Sequence, residues 1–350
     1  MTNVDEYGGW TTILKELLAG DDLSEQKAFD IMTDVLNGDA TPVEVAGLLV
    51  AMRAKGETVS EMTGMARAMM EVAQPLVVPE AAIDIVGTGG SHLRLRHALN
   101  VSTMASLVAA AAGAVVCKHG NLKATSTSGS FDFLDALGVR YDLDGAALSK
   151  CVSEVGVGFA FARRFHPAMR HVAPIRAGLG IPTVFNLLGP LVNPGRLRRQ
   201  VIGAASEEIG RKMAEVLHSQ ECERAWVVTG GGGLDELTSI SPTSVFDIQP
   251  SGVERFVVNP GEVGLTAGGD ESDLVGGTAA DNVKILQSIL DGSERGPRYE
   301  MVVLNAAAGL VVGGVVDDLE SGVGRAKSAI ENGVVLAKVE QVVAFTNSVA

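Results

Sequence analysis

Short polar loops and one polar helix start, all suited to binding an anion, lie between residues 87 and 130 of this 350-residue chain. The first loop is GTGG at 87–90, which follows an apolar stretch and could bring backbone N–H groups close to phosphate oxygens. It matches neither the GxGxxG nor the GK[ST] pattern, so it predicts neither dinucleotide nor P-loop binding. KHGN at 118–121 and a hydroxyl-rich run at 125–130 supply further donors. NVST at 100–103 opens an Ala-rich segment, and a helix N-terminus there would attract anions.

The distribution of charge supports an anion site. The formal net charge is -14, from 42 Asp and Glu against 28 Lys and Arg. Residues 85–131 and 155–206 nevertheless contain no Asp or Glu, and they hold eleven of the 28 cations. The alternative is that both segments are buried and therefore poor in charge, but this does not explain the seven arginines of the second. An acidic chain also argues against general nucleic-acid binding, which needs a broad basic surface.

Two carboxylates and one arginine are further candidates. Asp235 and Glu236 follow four glycines and a predicted strand, where they could hold a hydrated Mg²⁺, although adjacent loop acids are usually only solvated. Arg176 lies on a helix predicted from His166 to Ala177 and could bind a carboxylate or phosphate with two hydrogen bonds. A surface arginine is the alternative interpretation.

The remaining composition indicates a cytoplasmic setting. Cys117, Cys151 and Cys222 form no CxxC or metal-binding pattern, which favours a reducing compartment. The N-terminus lacks the basic and apolar regions of a signal peptide. The longest apolar run, 104–117, is too short to span a bilayer, so we expect no membrane association.

Hydrophobic periodicity predicts a small all-helical domain plus a larger α/β domain with a mostly parallel central sheet flanked by helices. Residues 1–77 show four helices, two of them opened by capping boxes at Thr41 and Thr58. We expect about 165–193 to rejoin this helical domain, while 78–164 and 194–350 form the α/β domain. Predicted strands cover 83–86, 114–117, 158–160, 201–204, 225–229 and 302–304, with an antiparallel excursion over 243–258.

These motifs, in this order, resemble anthranilate phosphoribosyltransferases. The resemblance covers about residues 20–335 and includes GTGG, NVST, KHGN, SxSGS at 126–130, HPAMRHVAPIR at 166–176, PTVFNLLGPLVNP at 182–194 and LDELT at 234–238. The family transfers a phosphoribosyl group from phosphoribosyl pyrophosphate to anthranilate with Mg²⁺, and its members usually form dimers through the helical domain. An aromatic amine is already nucleophilic, so the resemblance implies no catalytic acid or base.

The resemblance also implies roles for individual residues. Phosphoribosyl pyrophosphate would contact Gly87, Gly90, Ser91, Asn100, Ser102, Thr103, Lys118, Ser126 and Ser130. Anthranilate would contact Gly87, His119, Asn121, His166 and Arg176. Ser102, Asp235 and Glu236 would bind the metal.

The chain departs from the family pattern in the loop for the phosphoribosyl donor. The family reads GTGGDG, but Ser91 replaces the Asp here and the spacer before Asn100 is about three residues longer. Ala98 replaces a Thr, and Leu122 stands where the family has an Arg after KHGN. In one interpretation the chain is a lineage variant in which Arg94, Arg96 or Lys123 compensates for the altered loop. In the other, the affinity for the phosphoribosyl donor has weakened or the acceptor molecule has changed.

Two alternatives remain open from the sequence. A pyrimidine nucleoside phosphorylase-like enzyme shares the fold and similar glycine loops, although HPAMRHVAPIR and the Asp-Glu pair oppose it. A non-catalytic paralogue that binds an anionic ligand is favoured only by the altered loop. Turnover of a pyrimidine nucleoside would support the first, and ligand binding without turnover the second.

Overall fold

The N-terminal part of the chain is helical, as predicted. The structure is a computed structural model that describes residues 2–89, 91, 99–123 and 126–349. Before the first strand, these residues form a 3₁₀ helix, Asn3–Tyr7, and helices α1 (Trp10–Ala19), α2 (Glu25–Asn37), α3 (Pro42–Lys55) and α4 (Val59–Glu71). The capping boxes at Thr41 and Thr58 are both formed, each with a Glu three residues later.

A seven-stranded sheet forms the centre of the larger domain. Its spatial order is β3-β2-β1-β4-β5-β6-β7. The first five strands pair in parallel, while β6 is antiparallel to β5 and β7 is antiparallel to β6. The predicted fold class is thereby confirmed. The strands are β1 (Ala82–Gly87), β2 (Val115–Gly120), β3 (Val157–Phe161), β4 (Arg199–Gly203), β5 (Arg224–Gly230), β6 (Thr243–Gln249) and β7 (Gly252–Val258).

Helices flank this sheet and complete its core. Those of the described chain after β1 are α5 (Val101–Ala111), α6 (Ser130–Ala136), α7 (Gly145–Val155), α8 (Ala162–Phe165), α9 (Ala173–Leu179), α10 (Val184–Leu188), α11 (Glu207–Ser219), α12 (Ala279–Asp291), α13 (Pro297–Val312), α14 (Leu319–Glu331) and α15 (Val334–Ser348). Short 3₁₀ helices cover Pro167–His171, Gly189–Leu191, Pro260–Val263 and Glu271–Leu274.

Two predicted elements were wrong. The strand predicted at 302–304 lies inside α13, whose residues from Tyr299 to Val312 are all buried. A helix buried on every side has a continuous apolar sequence, so its periodicity resembles that of a buried strand. The single helix predicted from His166 to Ala177 is instead a 3₁₀ helix followed by α9. Pro174 stands at the start of α9, where proline is tolerated, but it could not continue a preceding helix.

The segment after β3 packs on α2, α3 and α4. Val172, Phe185 and Leu188 share an apolar cluster with Met52 and Met65 of α3 and α4. This packing supports our proposal that 165–193 belongs to the helical domain, with boundaries near 77, 164 and 194. The same cluster continues onto residues of β4, β5 and α11, so the two parts of the chain share apolar surface.

Within the described ranges, none of the helices combines the length and apolar character needed to cross a membrane.

Candidate active site at the carboxyl edge of the sheet

Parallel strands place three predicted motifs at one edge of the sheet. β1 ends at Gly87, β2 at Gly120 and β5 at Gly230. The GTGG loop therefore begins where β1 ends, the first three residues of KHGN end β2, and Asp235 and Glu236 follow β5. The carboxyl edge of an open α/β sheet is where such folds bind ligands.

The glycine loop after β1 lies directly against the acidic loop after β5. The backbone N–H of Gly89 donates to Oδ2 of Asp235 at 2.6 Å, and the N–H of Thr88 donates to the carbonyl of Gly203 at 2.9 Å. A Cβ atom at Gly87 would lie 2.6 Å from the same Asp235 oxygen, so this close approach requires glycine. The sequence had indicated two separate motifs, and the structure joins them.

Ser91 and the start of α5 carry buried polar atoms that have no partner within the described chain. The N–H of Asn100 donates to Oδ1 of Asn282 at 2.8 Å, and Oγ of Ser128 donates to Oδ1 of Asn100 at 2.8 Å. By contrast, Asn100 Nδ2, Thr103 Oγ1 and Ser91 Oγ are buried and make no hydrogen bond to described residues. Such atoms cost free energy unless a ligand or water satisfies them. Their presence on three predicted phosphate-binding residues fits a polar ligand.

The serine run touches the end of KHGN. Oγ of Ser130 donates to the carbonyl of Asn121 at 3.1 Å, and Oγ of Ser126 donates to the carbonyl of Ser128 at 3.1 Å. Asn121 itself is exposed, whereas Ser102, in the first turn of α5, is buried. The structure thus connects the second and third predicted loops to each other.

Lys118 is buried rather than exposed on the edge. Only 2% of its surface is accessible, and its Nζ donates to the carbonyl of Ile85 in β1 at 2.6 Å. The neighbouring Asp84 is also fully buried, and this burial raises the pKa of its carboxyl group to about 6, although the charge of Lys118 opposes the shift. The ammonium and the carboxylate therefore lie together inside the sheet.

Two residues that were predicted to contact anthranilate, His119 and His166, form a buried histidine pair. The rings of His119 and His166 lie 5.3 Å apart between centroids. His119 Nδ1 donates to the carbonyl of Gly189 at 3.2 Å, and His166 Nε2 donates to that of Val192 at 2.9 Å, since a carbonyl can only accept. Burial lowers the pKa of His119 to about 3 and that of His166 to about 4, so both rings are neutral near pH 7. His119 Nε2 is buried without a partner in the described ranges.

These buried groups predict lower stability in acid. In the unfolded chain the two imidazoles bind protons near pH 6.5, whereas in the folded chain their pKa values are about 3 and about 4. The free energy of unfolding should therefore fall as the pH drops from 6.5 towards 4. Asp84 acts in the opposite direction, because its pKa is about 6 when folded and 3.8 when unfolded, but one group opposes two.

We expect the melting temperature to be lower at pH 5 than at pH 7 when followed by circular dichroism. The decrease should be smaller in His166→Asn than in the exposed control His218→Asn. An equal decrease in both variants would show that the buried imidazole does not cause the loss.

Arg176 forms its side-chain hydrogen bond with Asn186, which is not one of the predicted site residues. It is partly buried on α9, donates to Oδ1 of Asn186 at 3.2 Å, and lies 5.4 Å from the centroid of the Phe185 ring. Within the described chain, its hydrogen bonds reach none of the other predicted site residues. Burial lowers the pKa of its guanidinium, yet the group stays charged. A cation held beside an aromatic ring suits an aromatic carboxylate.

The acidic loop offers few ligands to a metal ion. Asp235 is fully buried and Glu236 is 5% exposed. Among the described residues, no three His, Cys, Asp or Glu side chains are grouped as a metal site. Two carboxylates without sulfur or imidazole ligands fit Mg²⁺, which takes one or two carboxylates together with substrate phosphates and water, better than Zn²⁺.

Comparison with known proteins supports the family resemblance found in the sequence. The glycosyl transferase family, a/b domain, matches residues 79–336, and the helical bundle domain of that family matches 11–73. The anthranilate phosphoribosyltransferase of Rubrobacter xylanophilus is 44% identical over 337 residues, which are 96% of this chain and 97% of that protein. The Roseiflexus castenholzii enzyme of the same name is 42% identical over 333 residues, 95% and 97% of the two chains. The chain belongs to the anthranilate phosphoribosyltransferase family.

Solved structures of this family share the fold. The anthranilate phosphoribosyltransferase of Thermus thermophilus has a TM-score of 0.88 and 41% identity, and the match covers 95% of this chain and 99% of that one. The Saccharomyces cerevisiae enzyme in complex with PRPP and Mg also has a TM-score of 0.88, at 27% identity and with 97% and 98% of the chains covered. A third structure, of the yeast enzyme with 4-fluoroanthranilate, has a TM-score of 0.86, 26% identity and the same coverage. The resemblance found in the sequence is confirmed, and membership makes the chain a phosphoribosyltransferase.

Only some of the positions that depart from the anthranilate phosphoribosyltransferase pattern lie among the described residues. Gly90, Arg94, Arg96 and Ala98 lie outside the described residues, so their predicted roles stay predictions. Ser91 is fully buried, which is a costly place for the carboxylate that the family usually has there. Leu122 is partly buried and packs on the apolar core of the α/β domain, whereas the following Lys123 is exposed.

Sequence reasoning missed four polar residues that support the site. Ser128 and Asn282 hold Asn100, while Asp84 and Asn193 join β1 to the segment returning from the helical domain. A charged residue inside the apolar run of β1 was a usable signal for Asp84. Ser128 and Asn193 lie within the quoted motifs at 126–130 and 182–194 but received no role there, and Asn282, inside α12, had no signal.

Proposed function

We propose that this chain transfers the phosphoribosyl group of phosphoribosyl pyrophosphate to the amine of anthranilate, giving N-(5-phosphoribosyl)anthranilate and pyrophosphate in tryptophan biosynthesis. The contact between Gly89 and Asp235 carries the proposal, because it places a phosphate-type glycine loop against a buried carboxylate suited to a metal. The unpartnered polar atoms of Ser91, Asn100 and Thr103 support a diphosphate ligand at the same end of the site. The names of the relatives point to anthranilate as the acceptor.

The donor would be held by backbone amides, hydroxyls and one buried cation. The N-terminus of α5 favours negative charge through its free N–H groups and its dipole. The ammonium of Lys118 adds positive charge inside the sheet, where water screens it weakly. We assign to this ligand the residues Gly87, Gly90, Ser91, Asn100, Ser102, Thr103, Lys118, Ser126 and Ser130.

The acceptor would lie between the histidine pair and α9. The neutral rings form an aromatic wall, and the unprotonated Nε2 of His119 can accept a hydrogen bond from the amine of anthranilate. Arg176 would bind its carboxylate. We assign Gly87, His119, Asn121, His166 and Arg176 to this part of the site.

Asp235, Glu236 and Ser102 would hold the Mg²⁺. Bound with the donor, the ion supplies positive charge to the leaving pyrophosphate. Asp235 can take part although it already accepts from Gly89, because a carboxylate has about four acceptor positions.

The residues of the chain would act by positioning and by charge rather than by acid–base catalysis. Both histidines are neutral and each donates one ring N–H to a backbone carbonyl, so neither stands ready as a general acid at pH 7. The aromatic amine attacks without prior deprotonation. Holding amine and anomeric carbon in contact, and stabilising the pyrophosphate that leaves, accounts for the acceleration.

We further propose that the protein works in the cytoplasm as a homodimer formed through the helical domain. Leu18 on α1 and Val43 on α3 support this, since 76% and 81% of their surfaces are exposed in the single chain. Apolar side chains this exposed on one small domain are suited to burial against a second copy.

The proposed function is tested by mixing the protein with anthranilate, phosphoribosyl pyrophosphate and Mg²⁺ and following the loss of anthranilate fluorescence. Turnover of roughly 1 per second or more is expected, as for ordinary metabolic enzymes. Parallel reactions with phosphate and thymidine or uridine should show no phosphorolysis. Phosphorolysis without anthranilate turnover would assign the chain to the phosphorylase alternative.

A further inference from the structure

A buried hydrogen-bonded pair, Asp84 and Asn193, links the strand that leads into the donor loop to the segment that returns from the helical domain. Nδ2 of Asn193 donates to Oδ2 of Asp84 at 2.8 Å and to the carbonyl of Cys117 in β2 at 2.9 Å. Oδ1 of Asn193 accepts from the N–H of Gly195 at 2.9 Å. Asp84 is fully buried and Asn193 is 2% exposed. One amide thus ties together two strands and the return segment.

The carboxylate of Asp84 also holds the backbone of His119. The N–H of His119 points between its two oxygens, at 3.2 Å from each. A buried carboxylate is costly unless hydrogen bonds and an opposite charge compensate it, and here Lys118 supplies the charge. An apolar residue would fill this place at lower cost, so packing alone does not account for a carboxylate here.

The return segment orients both histidine rings. The carbonyl of Gly189 accepts from His119 and that of Val192 accepts from His166, and Asn193 follows directly. Asn193 is joined directly to Val192 and follows Gly189 by four residues, so its hydrogen bonds anchor the short segment that carries both carbonyls. The same pair, through the N–H of His119, fixes the backbone from which one ring projects.

We propose that Asp84 and Asn193 form a positioning pair that sets the orientation of His119 and His166 and thereby the affinity for the acceptor. The two residues act through the histidines and do not touch substrate. This inference rests on the proposed function, since it places the acceptor against those rings. Within the described chain, the side-chain hydrogen bonds of Asn193 reach Asp84, Cys117 and Gly195, and none of these is assigned to the donor.

The test replaces Asn193 and leaves the Asp84–Lys118 charges in place. Asn193→Ala should raise the KM for anthranilate by about 10-fold, equivalent to ~1.4 kcal/mol, and that for phosphoribosyl pyrophosphate by less than about 2-fold, because the histidine rings lose the anchored segment that orients them. Glu61→Gln is the matched control, because Glu61 is a buried carboxylate that accepts from Leu23 and Thr58 in the helical domain. It should lower the melting temperature without changing the ratio of the two KM values. An equal rise in both KM values for Asn193→Ala, or no rise, would overturn the proposal.

A spectroscopic measurement separates failure of this proposal from failure of the proposed function. Selective ¹⁵N labelling of the six histidines reports the tautomer of each ring by NMR, whether or not anthranilate is turned over. In the unaltered protein His119 should carry its proton on Nδ1, and in Asn193→Ala it should show a mixture of tautomers. An unchanged His119 spectrum would overturn the positioning role. If Asn193→Ala does not fold, Asn193→Ser is measured by both methods with the same criteria.

Discussion

Replacing Asp235 by Asn and Glu236 by Gln together should lower kcat by at least about 100-fold, because stabilising the charge of a leaving group contributes strongly to the rate of such reactions. The apparent Mg²⁺ concentration for half-maximal rate should also rise. Both carboxylates are buried at the carboxyl edge of the sheet, so their effect on a nearby cation is weakly screened by water. Initial rates across a Mg²⁺ series measure both quantities.

The single variants separate two effects of this acidic loop. Asp235→Asn also disturbs the hydrogen bond from Gly89, so it should raise the KM for the donor as well. Glu236→Gln should act chiefly on the Mg²⁺ dependence. The control is Asp5→Asn with Glu6→Gln, an exposed Asp-Glu pair in the first 3₁₀ helix, which should behave as the unaltered protein. Mg²⁺ dependence that is unchanged in the Asp235 and Glu236 variants would remove the metal assignment.

Arg176→Ala should raise the KM for anthranilate by about 30-fold or more, while the KM for the donor changes little. Truncating one partner of a buried charged contact costs ~2–5 kcal/mol, and Arg176 is held partly buried by Asn186 and Phe185. Steady-state kinetics with each substrate varied in turn measures this ratio.

The neighbouring Arg170 provides the control for charge alone. It lies exposed on the 3₁₀ helix before α9 and donates only to the carbonyl of Pro167 within the described chain. Arg170→Ala should leave both KM values unchanged. If Arg176→Ala raised both KM values equally, the guanidinium would not belong to the acceptor site.

Several elements were predictable because their signals are local. The start of β1 before GTGG and the capping boxes at Thr41 and Thr58 depend on residues within a few positions of each other. The buried helix α13 could not be distinguished from a strand in the same way, since all of its faces are apolar. Pattern reasoning fails where burial removes the periodicity.

The contacts that hold the site together were not predictable from one sequence. The hydrogen bond between Gly89 and Asp235 joins residues 146 positions apart, and that between Asp84 and Asn193 joins residues 109 positions apart. Both depend on which strand ends lie side by side, and the order β2-β1-β4-β5 cannot be read from local propensity. The residue types indicated a polar site, and the sheet determines which of them meet.

The most direct test of the account is the stoichiometry of a single reaction containing anthranilate, phosphoribosyl pyrophosphate and Mg²⁺. Anthranilate loss is followed by fluorescence, pyrophosphate is measured by an enzyme-coupled assay, and the mass of the product is measured by mass spectrometry. The account predicts one pyrophosphate released for each anthranilate consumed, and a product mass equal to that of anthranilate plus one phosphoribosyl group minus the hydrogen that leaves the amine. Pyrophosphate release that does not require anthranilate, or folded protein that consumes neither substrate, would contradict it.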